Sequence, residues 1–512
     1  MKHFNTTGPC RADIHYMLPA LPRLPEMRGL IDSQNYFVLH AARQIGKTTS
    51  VMALARELTE EGRYAAIVLS VQPASHDIDT AERLLLSRWR RVAEDELPPD
   101  LRPPEWPVGE TGERINAALR AWARAIPRPL VVFFDEIDGL EDDLLISVLH
   151  QLRDGFPHRP KSFPWSLALV GMRDVQDYKV KSATGTRLRT SSPFNIKARS
   201  LTMNNFTADE VATLYQQHTT ETGQVFTPEA LARAFELTQG QPWLVNSLAN
   251  VAVGELVKDR TQAVTIEHIE QAREIMILRR ETHLSSLAER LHEDRVRRVI
   301  EQLLTGDAGM QPIPSDDLEY LRDLGLITRE KPIAIANPIY REVIPRELTW
   351  TTQEFLQQET AWYVRPDGRL DLDKLLTAFQ QFFRENSEHW VERFDYKEAG
   401  PQLLMQAFLH RVVNGGGRIE REYGLGRGRT DLLVIWPHPK GVQRIVLELK
   451  VLRKALETTI TEGLAQTLEY GDRSNADELH FVVFDRSKKT WSKKIFKRTR
   501  KLRGNPIRVW GM

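Results

Sequence analysis

Ala41-Ala42-Arg43-Gln44-Ile45-Gly46-Lys47-Thr48-Thr49 is the stretch on which the reading of this 512-residue chain turns. Before it stands Tyr36-Phe37-Val38-Leu39-His40, a short apolar run rich in β-formers, which predicts a buried strand. After it, Val51, Leu54, Ala55 and Leu58 recur at helical spacing and predict a helix from Thr49 to Glu61. Strand, tight loop and helix N-terminus aim successive backbone N–H groups and the helix dipole at one point, the geometry that holds phosphate. The pattern Gly-x-x-x-x-Gly-Lys-Ser/Thr is met with one departure, Ala41 at the first glycine, which is tolerable where that residue keeps a negative φ. Residues Ala42 to Thr49 are therefore candidate nucleotide-binding residues, with Lys47 reaching the terminal phosphates and the Thr48 hydroxyl on magnesium.

Outward from the loop, Ala65 to Val71 reads as a second strand and 111–125 as a helix beyond a proline-rich excursion at 98–107. Leu130-Val131-Val132-Phe133-Phe134 is a buried strand running into Asp135-Glu136. Asp135 there supports magnesium, and Glu136 polarises an attacking water; Asp138 lies behind them or at the surface. Leu144 to Leu152 reads as a helix, and Ser166 to Val170 as the next strand, ending at Gly171-Met172-Arg173-Asp174. This β-α alternation predicts an α/β core with a mostly parallel, three-layer sheet.

From about 205 the pattern turns helical. Thr207 with Glu210 makes a capping box, and Thr227-Pro228-Glu229 a second helix start. Around 326–329 and 332–336 two short extended pieces follow short helices, the order of a winged-helix module. Its candidate recognition helix, Asp316 to Leu324, carries Asp316, Asp317, Glu319 and Asp323 and would repel phosphates, which favours a structural or lid-coupling role over DNA contact.

The last 120 or so residues read as helix (398–414), strands (418–423, 429–436, 443–451), helix (457–471), strand (479–484) and a basic helical tail. Asp431 opens the apolar strand Leu432-Leu433-Val434-Ile435-Trp436, and Glu448 and Lys450 sit two apart on the strand after it. Residues i and i+2 of a strand share a face, so Glu448 and Lys450 project together, and Asp431 approaches Glu448 if the two strands pair. Carboxylate oxygens of this kind suit magnesium, which activates water and neutralises charge on a phosphodiester, with Lys450 positioning that water. Glu and Lys carried inward on an apolar strand are costly unless they serve a purpose. A nuclease-like fold that binds without cutting, and a plain structural sheet, remain open on the residues alone. Arg418, Arg421, Arg427 and Arg429 flank the motif, and 486–503 holds ten Lys/Arg with Trp491 and Phe496 interleaved. Arg427, Arg429, Tyr470, Lys493 and Lys497 form the candidate nucleic-acid contacts; the alternative for the tail is a solvated helix face.

Two resemblances bear on these residues. His40 to Thr49, Phe134-Asp135-Glu136-Ile137-Asp138, Ser192-Pro193-Phe194-Asn195 and Gly240-Gln241-Pro242 resemble the AAA-like, STAND-related ATPases of prokaryotes. That likeness implies ATP as the nucleotide, a helical lid that moves with it, Pro242 near the base, and Arg173 as a sensor of the terminal phosphate, unless Arg173 is simply in a surface salt bridge. It also implies homo-oligomers in which one subunit supplies an arginine to the next. Asp431, Glu448-Leu449-Lys450 and the pair Gln466 and Tyr470, four apart on one helix face, resemble the PD-(D/E)XK nuclease superfamily and its RecB-like branch. This implies a restriction-endonuclease-like α/β domain with Asp431 and Glu448 as metal ligands and Gln466 as a further catalytic residue. It also implies a first-helix acid, for which Glu398 is the match; Thr430 stands where the superfamily commonly has Pro.

The expected organisation is a P-loop core (1–200), helical lid (201–284), winged-helix-like module (285–350), connector (351–388) and nuclease-like domain (389–512). Hydrophobic residues are 41% of the chain, enough for ordinary cores. A net charge of +1 means that any affinity for nucleic acid must come from local basic surface. The single cysteine, Cys10, excludes an internal disulfide framework and a cysteine zinc site. No apolar run spans a bilayer and the first residues lack a signal core, so a cytoplasmic protein with no membrane partner is expected. The function expected is ATP binding and hydrolysis coupled to magnesium-dependent cleavage of nucleic acid, DNA favoured, and the resemblances imply a setting in antiphage defence or mobile elements. The rival is a STAND-type nucleotide-driven signalling switch whose C-terminal domain binds a partner or nucleic acid without cutting.

Overall fold

The structure is a computed structural model describing all residues except 20, 73, 74, 76, 141, 174–195, 280, 281, 306–312, 356–361, 392–399, 415, 425–428 and 488. Side chains at 21, 142, 282, 285, 288, 305, 349–355, 385–391, 400, 410–414, 422–424 and 429–431 are also outside the description. The expected Ser192–Asn195 element, Glu398 and Arg427 therefore lie outside the described residues. The chain divides into two compact units. One comprises Met1–Phe235, Gln239–Ala272 and Asp323–Gly325; the other comprises Glu236–Thr238, Arg273–Arg322 and Leu326–Met512.

The first unit is built on five parallel strands, β1 (Tyr36–His40), β2 (Ala65–Ser70), β3 (Leu130–Asp135), β4 (Ser166–Gly171) and β5 (Lys197–Thr202), in the order β2-β3-β4-β1-β5. Around them run α1 (Pro25–Asp32), α2 (Lys47–Glu60), α3 (Ile78–Glu96), α4 (Arg114–Ala125) and α5 (Asp142–Gly155). Strand residues alternate between two cores. Val38, Val132, Phe134 and Leu169 pack with Trp89 of α3 and Trp122 of α4. Phe37, Phe133 and Val170 pack with Met27 of α1 and Leu54 of α2. The sheet is thus buried on both faces, which is why its strands read as unbroken apolar runs. β5 escaped the sequence reading: Lys-Ala-Arg-Ser-Leu-Thr is an edge strand exposed over Ala198–Ser200, with no apolar run to betray it. Helices α6 (Ala208–Thr222), α7 (Pro228–Thr238), α8 (Pro242–Val251) and α9 (Ile266–Leu278) follow. The capping box at α6 forms, the Thr207 hydroxyl accepting from Glu210 N (3.2 Å) and the Glu210 carboxylate from Thr207 N (2.8 Å).

One division between the units falls within α9, at Ala272/Arg273. The second unit continues with α10 (Thr282–Arg290), α11 (Asp294–Thr305), α12 (Ser315–Asp323), a single antiparallel bridge Ile327–Ile335, α13 (Pro338–Phe355), α14 (Leu372–Val391) and α15 (Gly400–Asn414). A six-stranded mixed sheet ends the chain: β6 (Arg418–Gly424), β7 (Arg429–His438), β8 (Gly441–Val451), β9 (Glu478–Phe484), β10 (Phe496–Leu502) and β11 (Asn505–Gly511), in the order β10-β11-β9-β8-β7-β6. Helix α16 (Leu456–Ser474) packs on one face of it.

Helix α14 lies largely within the stretch read as a connector, and its Leu372, Leu375, Leu376 and Phe379 are fully buried. Its Gln380 amide donates to the carbonyls of Phe496 (3.0 Å) and Gly511 (2.8 Å), tying it to the sheet. The basic tail, expected to be helical, is largely the β10–β11 hairpin. Arg503 (φ 50°) and Gly504 (φ 85°) make its two-residue turn, both in the left-handed region that a tight hairpin of matching twist demands. Buried Ile507 and Val509 of β11 anchor the hairpin; Lys497 to Lys501 of β10 are all exposed and offer no periodicity to read. Among the described residues, no helix is long and apolar enough to cross a membrane.

Candidate nucleotide and metal sites

In the first unit, the loop after β1 and the acids after β3 meet at the carboxyl ends of the parallel strands, where open α/β sheets place ligands. Gly46 takes φ 99° as the N-cap of α2, a conformation only glycine adopts cheaply. Gln44 is also left-handed (φ 59°), whereas Ala41 is not, so the alanine at the first glycine position is unstrained. The Lys47 ammonium donates to the carbonyls of Ala41 and Ala42, both at 2.8 Å. Thr48 Oγ1 donates to Asp135 Oδ2 (2.6 Å), and Asp135 Oδ1 accepts from Glu136 N (2.9 Å). Glu136 stands exposed at φ 63°, its carboxylate held by the Ser70 hydroxyl of β2 (2.6 Å). Asp138 accepts from Met172 N (2.9 Å), so it braces the β4 end behind the site.

Burial pushes the Lys47 ammonium down to about 8, against the opposing pull of Asp138 and Asp135. Burial raises the Asp135 carboxyl, although the Thr48 hydroxyl and Glu136 N–H favour its ionised form. A cation and a carboxylate displaced toward each other in this way fit a pocket completed by an anion and a divalent metal.

The cavity there measures about 900 Å³ and is lined by Gln44 to Ser50, Asp135, Glu136, Phe206, Pro242, Trp243 and Asn246, among others. Ala42 and Arg43 belong to the loop but not to the lining. Arg173 is not in the lining; its Nε donates to Asp323 (3.2 Å), a pair largely withdrawn from solvent. Thr49 accepts from Cys10 N (3.0 Å).

That bond exposes what the sequence reading missed. The irregular N-terminal stretch lines the cavity with Asn5, Thr6, Gly8, Pro9, Cys10, Tyr16, Met17 and Leu18. Gln217 of α6 clasps Met17 through both its backbone N (3.2 Å) and carbonyl (3.0 Å). Tyr16 Oη meets His218 Nδ1 (3.2 Å), and Trp243 Nε1 donates to the Thr6 carbonyl (2.9 Å). No repeat or period marks such a segment; only its buried aromatics, Phe4 and Tyr16, could have signalled it.

In the second unit, β7 and β8 pair antiparallel with Asp431 directly opposite Glu448, and β6 adds Glu422 opposite Asp431. Directly opposed residues share a face of the sheet, their Cβ atoms roughly 4.5–5.5 Å apart. Three acid-bearing positions thus form one cross-strand row; Glu422 was not singled out from the sequence, because its place opposite Asp431 is visible only in the register. Glu448 is fully buried. Lys450 Nζ donates to Gln466 Oε1 (2.9 Å) and lies 4.0 Å from Glu462. Among the described residues no group of three or more His, Cys, Asp or Glu is gathered for a metal; the side chains at 422 and 431 fall outside that description. Oxygen donors at these positions are the chemistry magnesium takes.

The expected nucleic-acid contacts divide. Tyr470 is buried, packed with Leu433 and Val446, with Arg473 over its ring at 4.9 Å, which holds α16 to the sheet. Lys493 is exposed. Lys497 pairs with Asp373 (3.4 Å) and lies over the Trp510 ring at 4.7 Å. Arg429 sits at the start of β7, opposite Gly424.

No family model and no curated protein sequence matches the chain. Among solved structures it is similar to a Walker-type ATPase of Pyrococcus abyssi, at 14% identity and TM-score 0.45, over 67% of this chain and 99% of that one. It is also similar to the Aeropyrum pernix ORC1 protein in complex with DNA, at 15% identity and TM-score 0.34, over 66% and 94%. A further match is the Thermotoga maritima RuvB Holliday junction branch migration motor, at 13% identity and TM-score 0.34, over 60% and 88%.

Proposed function

We propose that this chain is an ATP-binding and ATP-hydrolysing protein whose C-terminal sheet cleaves nucleic acid, DNA favoured, with magnesium. The observation that carries the reading is the register of β7 and β8, which sets Asp431 opposite Glu448, with Lys450 on the same face. For the nucleotide half, support comes from Lys47 and Thr48 converging with Asp135 and Glu136.

At the nucleotide, Lys47 exchanges its two loop carbonyls for the terminal phosphates, and Thr48 and Asp135 hold magnesium. Bound magnesium neutralises phosphate charge. Glu136 orients the attacking water, and Ser70 fixes that carboxylate until substrate is in place. At the phosphodiester, Asp431 and Glu448 hold the metal, Lys450 orients water or steadies negative charge on the phosphorus, and Gln466 orients Lys450. Lys493 and Arg429 are the contacts we retain for the strand being cut. Helices α10 to α12 with the Ile327–Ile335 bridge are read as a winged-helix-like module in a structural role; its Asp317 is already paired with Arg298 (2.6 Å). A homo-oligomer and a role in defence or mobile-element biology belong to the same proposal by likeness alone.

The full burial of Glu448 favours a second reading, a nucleotide-driven switch whose C-terminal sheet binds without cutting. Incubation of plasmid and RNA with the protein and magnesium separates the two. Cleavage lost in Glu448→Ala supports the nuclease; cleavage that persists in that variant removes the site assignment, and no cleavage by the wild type leaves the switch. Lys47→Ala tests coupling: an unchanged cutting rate with and without ATP would sink it.

A further inference from the structure

Within the second unit, four charged side chains form an alternating chain. Glu274 of α9 takes a two-pronged bond from Arg346 of α13 (2.6 and 3.1 Å). Arg346 Nε also donates to Glu342, one turn earlier on α13 (2.8 Å). Glu342 accepts from Arg421 of β6 in turn, and Arg421 Nε donates to Gln406 of α15 (3.0 Å). Arg421, Glu342 and Arg346 are nearly inaccessible (2%, 7% and 9%), while Glu274 at the outer end is 28% exposed. Buried ion pairs stabilise a fold little compared with apolar residues of the same shape, so such a chain is better suited to fixing one arrangement than to adding stability.

Two placements give it a use. Its inner end is one residue from the acidic row: Arg421 opposes Leu432, and the next pair is Glu422 with Asp431. Its outer end is on α9, the helix that runs from the first unit into the second at Ala272/Arg273. We propose that Glu274, Arg346, Glu342 and Arg421 are positioning residues forming a relay that carries a displacement of α9 to β6. The relay thereby sets the register in which Glu422, Asp431 and Glu448 stand together. This rests on the nuclease reading of that row. Neither α13 nor β6 has to bind nucleotide or nucleic acid itself. A contiguous chain of paired charges is the sort of network that can couple distant sites.

The test uses the full chain and plasmid with magnesium, reading the cutting rate with ATP divided by the rate without it. Glu342→Leu, Arg346→Met and Arg421→Met together remove the three buried charges, and Glu274, 28% exposed, is left with solvent and Arg273 (4.0 Å). This triple variant is expected to melt within a few degrees of wild type, to hydrolyse ATP at the wild-type rate and to bring the ratio to about one. Should it fail to fold, Glu274→Gln at the exposed end removes one charge and keeps one of the two hydrogen bonds from Arg346; it is expected to change the ratio at least twofold. A folded triple variant, or Glu274→Gln, with the wild-type ratio overturns the relay, as does a wild-type rate that ATP leaves unchanged. A wild type that never cuts overturns the nuclease reading instead, so the two failures are distinct.

Discussion

Lys47 is the residue whose setting most constrains the chemistry. Phosphate needs it protonated, and burial holds the ammonium of the nucleotide-free protein at about 8. Below pH 7 the proton is already there. Above about 8 the free protein has lost it, and nucleotide must bring it back. The expected outcome is a flat nucleotide affinity below pH 7 that weakens by up to tenfold per pH unit above about 8, because one proton is linked to binding. Calorimetry in buffers of different ionisation enthalpy at pH 8.5 would detect that proton; binding without uptake would refute the argument. Glu136 carries a different prediction. Its left-handed backbone and its bond from Ser70 aim the carboxylate without using it to bind phosphate. Glu136→Gln is expected to keep nucleotide affinity and to lower hydrolysis on the order of a hundredfold or more, the usual worth of a general base. Equal loss of binding and turnover in that variant would assign Glu136 to binding.

At the scale of elements, α16 comes close to the sheet through glycine. A Cβ on Gly463 would lie 2.2 Å from the Phe481 ring, and one on Gly471 2.3 Å from Leu479. The close approach lets Gln466 reach Lys450. Gly463→Ala should therefore destabilise the second unit by about 1–3 kcal/mol, the range for an overpacked core. It should also lower cleavage by lifting Gln466, which thermal melting and the plasmid assay would read together; a stable, fully active variant would contradict this packing. The sequence was most informative for elements with a single environment. β1, β3 and β4 are buried on both faces and read as apolar runs, and so do Leu432 to Trp436 of β7 and Ile445 to Leu449 of β8, the latter interrupted by Glu448. β5 and β10 were opaque because each is an edge strand whose exposed stretch is mostly polar. Glu422 carried no local signal, since its place opposite Asp431 comes from cross-strand pairing. The N-terminal clasp was hidden for a similar reason: its partners on α6 are some 200 residues away in the chain.

For the whole molecule, nucleotide and metal should act on stability separately. The pocket is formed by the first unit alone, so MgATP at a hundred times its dissociation constant should stabilise that unit by about 2.7 kcal/mol. Lys47→Ala should lose the effect and Glu448→Ala should keep it; a melting shift lost in Glu448→Ala would mean that the C-terminal sheet takes part in nucleotide binding. The open end of that sheet is guarded in another way, by the exposed Lys497, Arg498, Arg500 and Lys501 along β10, charges that discourage a further strand from adding on. One more consequence follows from Cys10, which lines the nucleotide cavity and is the only thiol in 512 residues. A maleimide dye would have a single place to attach, beside the ligand. Its labelling rate should fall as the cavity fills, so the chain carries a built-in optical gauge of nucleotide occupancy, free of background from any other sulfhydryl.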